Sequence, residues 1–144
     1  MANVVPDSFK TDLLKGTFNF DSSGGSTFKL ALYTDISGLT TSTTAFTTTN
    51  EVSTSGTNYT SGGNTLTNSG VSVGSNIAVV DFADLTFSSV TLSAVGALIY
   101  KSGGSNEAVL VLDFGGTKTA TNGDFVVQFP TASSSAAIIR LGNA

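Results

Sequence analysis

The chain has 144 residues, a mass of 14.6 kDa and a net charge of −4, which is the size of one domain. His, Cys and Trp are absent, so imidazole-based catalysis, disulfide bonds and zinc sites built from His or Cys are excluded. Six basic residues against ten acidic ones provide no basic cluster that would attract nucleic acid.

The N-terminal segment predicts the one convincing helix, over residues 7–15. Pro6 suits a helix start, and Gly16 can adopt the left-handed conformation that closes a helix. The apolar positions of the segment fall on one face: Phe9, Leu13 and Leu14. So short a helix must dock on something. It packs either on its own domain, which we favour, or together with an arm of residues 1–5 on a partner subunit.

Strand-like periodicity follows the helix. Residues 17–20 predict a short strand that ends in the Ser- and Gly-rich turn of residues 21–26. In residues 28–33, Phe28, Leu30 and Leu32 alternate with less apolar residues. This alternation predicts a strand that is buried on one face only.

A polar stretch occupies residues 34–76, with most of the threonine and serine and only scattered apolar residues. It is either a disordered linker or an ordered excursion of short strands and turns. We favour the ordered excursion because threonine is a strand former and the apolar residues recur. Residues 59–66 predict a tight turn around Gly62 and Gly63.

The second half of the chain is rich in β-branched and aromatic residues and predicts a series of short strands. The segments are residues 77–82, 85–87, 91–92, 95–101, 107–114, 124–129 and 136–141. Residues 102–106 read as the loop of a hairpin. About eight to ten short strands with one helix predict an all-β, single-domain β-sandwich of jelly-roll-like form, whose strand order stays open. Residues 1–16 form the arm and helix, and residues 17–144 form the sandwich domain.

Carboxylates are the only candidates for chemistry, since a pair of them can hydrolyse glycosides. Asp81 and Asp84 lie close in sequence, and Asp113 and Asp124 flank predicted strands. We favour a role in turns and solubility, with a divalent ion shared between subunits at Asp81 and Asp84 as the alternative. We therefore predict that the protein is not an enzyme, with no catalytic, cofactor-binding or metal-binding residues and no cofactor.

A series of motifs after residue 17 resembles a family of small structural proteins of tailed bacteriophages, several of which are head decoration, or cement, proteins. The motifs are Phe28-Lys29-Leu30-Ala31-Leu32-Tyr33-Thr34, Glu51-Val52, Tyr59 with Gly62-Gly63 and Leu66, Asp81-Phe82-Ala83-Asp84, Gly96-Ala97-Leu98-Ile99-Tyr100, Val111-Leu112-Asp113-Phe114-Gly115, Gly123-Asp124-Phe125 through Phe129-Pro130, and Ala137-Ile138-Ile139-Arg140. Each motif alone is weak, whereas their order is more specific.

The resemblance implies a protein of the virion that binds the outside of the head and bridges major capsid subunits against the pressure of packaged DNA. Its implied partners are the major capsid protein and itself, as a homodimer or homotrimer. We expect synthesis in the host cytoplasm and no membrane partner, because the sequence has no secretory signal and no apolar run of about 20 residues. The alternatives are a tail or baseplate component and, from another class, a carbohydrate-binding adhesion module.

Two contact regions are predicted from apolar residues expected at the surface. The residues are Val4, Val5, Phe9, Leu13 and Leu14 in the arm and helix, and Phe46 and Tyr59 in the polar stretch. Deleting residues 1–9 is then expected to leave the β domain folded and to abolish binding to particles.

Overall fold

One helix and seven strands form the regular structure of residues 2–143, the part of the chain that this computed structural model describes. Met1 of the predicted arm and the C-terminal Ala144 lie outside the described residues. The elements are α1 (Asp7–Leu14), β1 (Phe28–Tyr33), β2 (Asn64–Thr65), β3 (Asn68–Gly74), β4 (Ile77–Phe82), β5 (Leu85–Lys101), β6 (Ala108–Val127) and β7 (Ile139–Leu141). Strands account for 46% of the residues and helix for 6%, which confirms the all-β prediction with one short helix.

The strands form two antiparallel sheets. The larger sheet has the order β2-β1-β5-β6, and the smaller sheet has the order β3-β4-β7. A long hairpin of β5 and β6 dominates the larger sheet and turns at residues 102–107. The sequence left the strand order open, and the structure shows that the strands are divided between one sheet of four and one sheet of three.

Helix α1 ends as its sequence predicts. The N–H of Gly16 donates to the carbonyl of Leu13 at 3.2 Å, and the N–H of Thr17 donates to the carbonyl of Asp12 at 3.0 Å. Gly16 has a φ of +78°, which the left-handed closing residue of this motif requires. At the other end Pro6 precedes the helix, as its sequence predicts, and no side chain caps the first turn.

The main core is rich in phenylalanine and lies between α1 and the two sheets. Phe9 of the helix packs against Phe18 with ring centroids 5.0 Å apart, and Phe20 stacks on Phe28 of β1 at 4.6 Å. Phe82 of β4 contacts Phe28 at 5.6 Å, which joins the smaller sheet to the larger one. The helix therefore docks on its own domain through Phe9.

A second core covers the opposite face of the larger sheet. Ala31 and Tyr33 of β1 point into it, and the polar stretch contributes Ile36, Leu39 and the partly buried Phe46. The prediction that β1 is buried on one face only is wrong, because residues 34–50 fold back over its other face. The polar stretch is an ordered excursion, as favoured from the sequence.

Strand boundaries differ from prediction in several places, and the strand predicted over residues 136–141 is limited to β7 (Ile139–Leu141). The short strands predicted between residues 85 and 101 are one strand, β5, and those predicted between residues 107 and 129 are one strand, β6. β5 contains register shifts near Val90 and Gly96, so it continues through the gaps between the predicted short strands. Residues 17–20 form no strand, because they run beside the core without a strand partner.

Candidate interaction surface

An apolar groove of about 310 Å³ lies between α1, β6 and β7. Three exposed side chains surround it: Val5 before the helix, Leu14 at its end and Leu141 of β7. Leu14 is 84% exposed and Leu141 is 60% exposed, so both present their side chains to the outside. These residues and the groove are called the α1–β7 surface below.

A second groove of about 260 Å³ continues the α1–β7 surface toward the smaller sheet. Leu13, Ile139 and Leu141 line both grooves, and Val71 of β3 lines the second one. The apolar lining is therefore continuous from the helix to the edge of the smaller sheet.

Two cations line the first groove. Lys10 Nζ lies 2.8 Å from Asp7 Oδ1 on the exposed side of the helix. Arg140 donates from Nη1 to the carbonyl oxygen of Ser134 at 2.8 Å. A protein of net charge −4 thus places two of its six basic residues beside its apolar groove.

The structure brings together four of the predicted contact residues around this groove, with differing exposure. Val5, Leu13 and Leu14 line it at the surface, whereas Phe9 reaches it only from the buried core. Val4 is half-buried and pairs with Val111 at the edge of β6, with backbone hydrogen bonds of 2.9 and 2.8 Å. The expectation that Phe9 is exposed is wrong, because its ring completes the phenylalanine core.

The second predicted contact region is not a surface feature. Phe46 is half-buried and stacks on Tyr100 with ring centroids 4.7 Å apart. Tyr59 is buried, and its hydroxyl accepts the N–H of Leu32 at 3.0 Å. The sequence predicts that Phe46 and Tyr59 are exposed, whereas the fold of the polar stretch turns both side chains inward.

Glu51 organises this region from within. Its Oε1 accepts the Tyr59 hydroxyl at 2.8 Å and the N–H of Gly62 at 2.6 Å, and its Oε2 accepts the Ser61 hydroxyl at 2.7 Å. We call these four residues the Glu51 cluster. It fastens two parts of the polar stretch to each other, the turn at residues 61–62 and the segment around Glu51.

All three tyrosines are buried around the Glu51 cluster. Burial raises the pKa of Tyr33, Tyr59 and Tyr100 above the usual value, and the negative charge of Glu51 acts in the same direction. These hydroxyls stay protonated at neutral pH and serve as hydrogen-bond donors. None of the tyrosine rings lies on the surface, where a sugar could stack on it.

Three of the four aspartates that the sequence singles out accept hydrogen bonds from backbone N–H groups. Asp84 Oδ1 accepts the N–H of Phe129 at 2.8 Å, and Asp124 Oδ1 accepts the N–H of Ser89 at 3.2 Å. Asp113 Oδ1 accepts the N–H of Gly115 at 2.8 Å, and this hydrogen bond lowers the pKa of Asp113. Within residues 2–143, no three acidic side chains come together in a group that could hold a metal ion.

Sequence reasoning missed Val71, Val73 and Leu141 as exposed apolar residues. The signal available for the valines was their spacing of two in a stretch without charge, which places both on one face of a strand. No local sequence pattern indicates that Leu141 is exposed, since its exposure depends on how β7 ends beside α1.

No protein-family model, curated protein or solved structure matches the chain. The resemblance to phage decoration proteins accordingly stays a prediction. Within residues 2–143, no helix has the length and apolar character needed to cross a membrane.

Proposed function

We propose that this protein is a structural protein of a tailed-bacteriophage virion, specifically a decoration protein that binds the outside of the head and bridges major capsid subunits. The observation that carries the proposal is the α1–β7 surface, where Leu14, Leu141 and Val5 are exposed beside a groove. Contiguous exposed apolar surface of this kind marks sites of protein–protein contact. The motif order in the sequence supports a structural role in the virion, and the head decoration proteins among the similar proteins favour the head as the partner.

The energetics of such a contact favour many copies acting together. Burying one leucine or valine side chain contributes about 1.5–3 kcal/mol, so a few of them give a modest affinity per copy. A protein that contacts two neighbouring capsid subunits gains from the high effective concentration of the second site. Packaged DNA pushes the shell outward, and each bridge must then break before neighbouring subunits separate.

The interior of the protein suits a mechanical part. The Glu51 cluster and the tyrosine hydroxyls are engaged in internal hydrogen bonds, and the proposed role needs neither a cofactor nor a catalytic group. Apart from Lys10 and Arg140, the lining of the first groove is apolar, which limits the side-chain entropy lost when the surface docks. In this proposal the protein is made in the host cytoplasm and resides on the outer surface of the capsid.

Quantitative mass spectrometry of purified virions tests the proposal. The expected result is a simple ratio of this protein to the major capsid protein, such as one to one or a fixed fraction of it. A ratio of a few copies per hundred would overturn the head location and indicate the tail or baseplate. Absence from the particles would overturn a virion role altogether.

A binding experiment tests the α1–β7 surface itself. Leu14→Lys places a charge at the most exposed apolar side chain and should abolish sedimentation of the protein with particles that lack it. Val126→Lys is the matched control, because Val126 is an exposed valine on β6 outside the α1–β7 surface. Equal binding by the Leu14→Lys variant and the wild type would contradict this assignment of the contact surface.

A further inference from the structure

The outer edge of β3 is open. β3 is the first strand of the smaller sheet and pairs only with β4. Ser75 and Asn76 join the two strands as a two-residue turn, with φ values of 52° and 63°. Since Gly74 and Ile77 close this turn, the backbone hydrogen bonds to β4 fall on alternate residues of β3. The backbone N–H and C=O groups of Val71 and Val73 therefore point away from the sheet.

These outward groups of β3 have no hydrogen-bond partner in the part of the chain that the structure describes. Within residues 2–143, no backbone or side chain forms a hydrogen bond with the outward N–H and C=O groups of Val71 and Val73. The turn of residues 21–26 packs only at the start of β3, where the Asn68 amide donates to the carbonyls of Asp21 and Ser26 at 3.2 and 3.1 Å. The open part of the edge is thus its regular end, from Val71 to Gly74.

This edge also lacks the features that usually protect an exposed edge strand. Such strands commonly carry lysine, other charges or proline, which prevent pairing with another chain. Residues 52–80 contain no charged residue and no proline. The single irregularity is the bulge between Asn68 and Gly70, which lies outside the open part.

The side chains along the edge are apolar and uncovered. Val71 lies opposite Val80, and Val73 lies opposite Ala78, so both valines share the face of the sheet that packs on the core. This face extends past the core at the turn end, where Val73 is 73% exposed. Unpaired backbone groups and unburied valines thus occur at the same place.

We propose that the β3 edge pairs with the same edge of a second copy of this protein. Two antiparallel copies of β3 related by a twofold axis beside Ser72 form one continuous six-stranded sheet. Val71 of each copy exchanges two backbone hydrogen bonds with Val73 of the other, which satisfies all the outward groups named above. The four valines then lie side by side on one face of the joined sheet.

A second copy fits this edge better than an unrelated strand for two reasons. The pattern of outward donors and acceptors is complementary to itself in the antiparallel direction, so no other sequence is needed. Each copy has a net charge of −4, and like-charged proteins repel where charges meet. The uncharged stretch of residues 52–80 allows two copies to approach closely without such repulsion.

The proposed register makes a sharp prediction for Ser72. In this arrangement Ser72 faces Ser72 of the other copy as a non-hydrogen-bonded pair, with Cα atoms about 4.5 Å apart. That separation lies within the range of about 4.4–6.8 Å that a disulfide bridges. The natural chain has no cysteine, so Ser72→Cys introduces a single thiol.

Mild oxidation of the purified Ser72→Cys protein tests the register. The expected product is a disulfide-linked dimer that forms in nearly all molecules and disappears on reduction. Ser105→Cys is the matched control, because Ser105 is an exposed serine in the β5–β6 loop, away from the β3 edge, and should form little disulfide-linked dimer. Equal slow cross-linking of both variants would reflect random collision and would overturn the proposed pairing.

Light scattering across a concentration series tests the pairing without cysteine. We expect the wild type to have the mass of two chains, and Val73→Lys to have the mass of one because it places like charges beside the twofold axis. Val126→Lys adds the same charge elsewhere and should remain dimeric. A monomeric wild type, or an edge occupied only after a different protein is added, would overturn the proposal. Binding to particles is a separate measurement, so failure here is distinguishable from failure of the proposed function.

Discussion

The Tyr59 hydroxyl donates a hydrogen bond of 2.8 Å to Glu51 and accepts one of 3.0 Å from the backbone N–H of Leu32. One side chain thereby joins the polar stretch to a central strand of the larger sheet. Glu51 in turn fastens the backbone of Gly62, whose carbonyl accepts the Tyr100 hydroxyl at 2.7 Å. These buried contacts hold the long polar segment in place together with its backbone hydrogen bonds to β1 and to residues 106–108.

Replacing Glu51 with alanine should destabilise the protein by about 2–4 kcal/mol, because three donors lose a charged acceptor. Glu107→Ala is the matched control, since the Oε2 atom of Glu107 is buried without a hydrogen-bond partner and its removal leaves no donor unpaired. We expect a change within about 0.5 kcal/mol, or a gain, for the control. Urea denaturation followed by circular dichroism measures both. Equal losses in the two variants would contradict the role assigned to Glu51.

Stability should fall steeply at alkaline pH. Burial, with the charge of Glu51 adding to it, raises the pKa of Tyr33, Tyr59 and Tyr100 in the folded state above 10.0. In the unfolded chain the tyrosines ionise near that value, so above pH 10 the unfolded state binds fewer protons and becomes favoured. Each such tyrosine lowers the free energy of unfolding by about 1.4 kcal/mol per pH unit.

Urea denaturation at a series of pH values on both sides of 10 measures this slope. Tyr59→Phe should be less stable than the wild type at neutral pH, since it loses two hydrogen bonds, and its alkaline slope should be shallower by the contribution of one tyrosine. A wild-type stability that is constant from pH 8 to about pH 11 would contradict the burial of these hydroxyls.

The turn before β2 requires glycine at position 63 because there is no space for a Cβ atom there. A Cβ atom on Gly63 would lie 1.8 Å from the carbonyl oxygen of Leu30, which is part of a central strand and cannot move aside. Gly56 has a similar φ, +71° against +73°, but a Cβ atom there meets nothing within 4 Å. Gly56→Ala should therefore cost about 1–2 kcal/mol, the usual cost of a left-handed conformation.

Gly63→Ala should cost at least about 3 kcal/mol more than Gly56→Ala, because the backbone clash is added to the same conformational cost. Thermal unfolding of the two variants compares them directly, and failure of Gly63→Ala to fold is the extreme form of the expected result. Similar unfolding temperatures would show that the turn does not approach β1 as closely as the structure places it.

Local sequence patterns predicted the elements whose formation depends on local chemistry. The helix was predicted to within a residue, and β1 and β4 at the bounds observed, because alternating or continuous apolar residues ended at clear turn signals. β5 and β6 were predicted in fragments because Ser89 and Asn122 resemble turn residues. They have positive φ values of 54° and 46° inside the strands, where bulges absorb them.

The surface could be predicted only in part, because exposure is a property of the whole fold. The sequence predicts exposed apolar residues at Leu14, on the apolar face of the helix, and at Val5, in the arm before it, and both are exposed. Phe9 and Tyr59 were assigned to the surface in error, since nothing local shows that the helix docks on Phe18 or that the polar stretch folds over β1. The open edge of β3 depends on which strand lies beside it, and the sequence does not contain that information locally.

The N-terminal segment offers a test that separates its buried residue from its exposed one. Phe9 packs in the core against Phe18 and Phe20, so Phe9→Ala should lower the free energy of unfolding by about 3–5 kcal/mol. Leu14 lies on the same helix but is 84% exposed, and Leu14→Ala should change stability by less than about 0.5 kcal/mol. Chemical denaturation of both variants provides the comparison, and equal stabilities would contradict the docking of the helix.

The same contacts change the expected result of truncation. Removing residues 1–9 deletes Phe9 from the core and Val4 from the edge of β6, so the remaining chain should be destabilised by at least as much as Phe9→Ala. Loss of particle binding after truncation would then report unfolding rather than a missing contact. Leu14→Lys avoids this ambiguity, because it alters the surface and leaves the core intact. If the truncated chain unfolds at the same urea concentration as the wild type, the N-terminal segment contributes nothing to the fold.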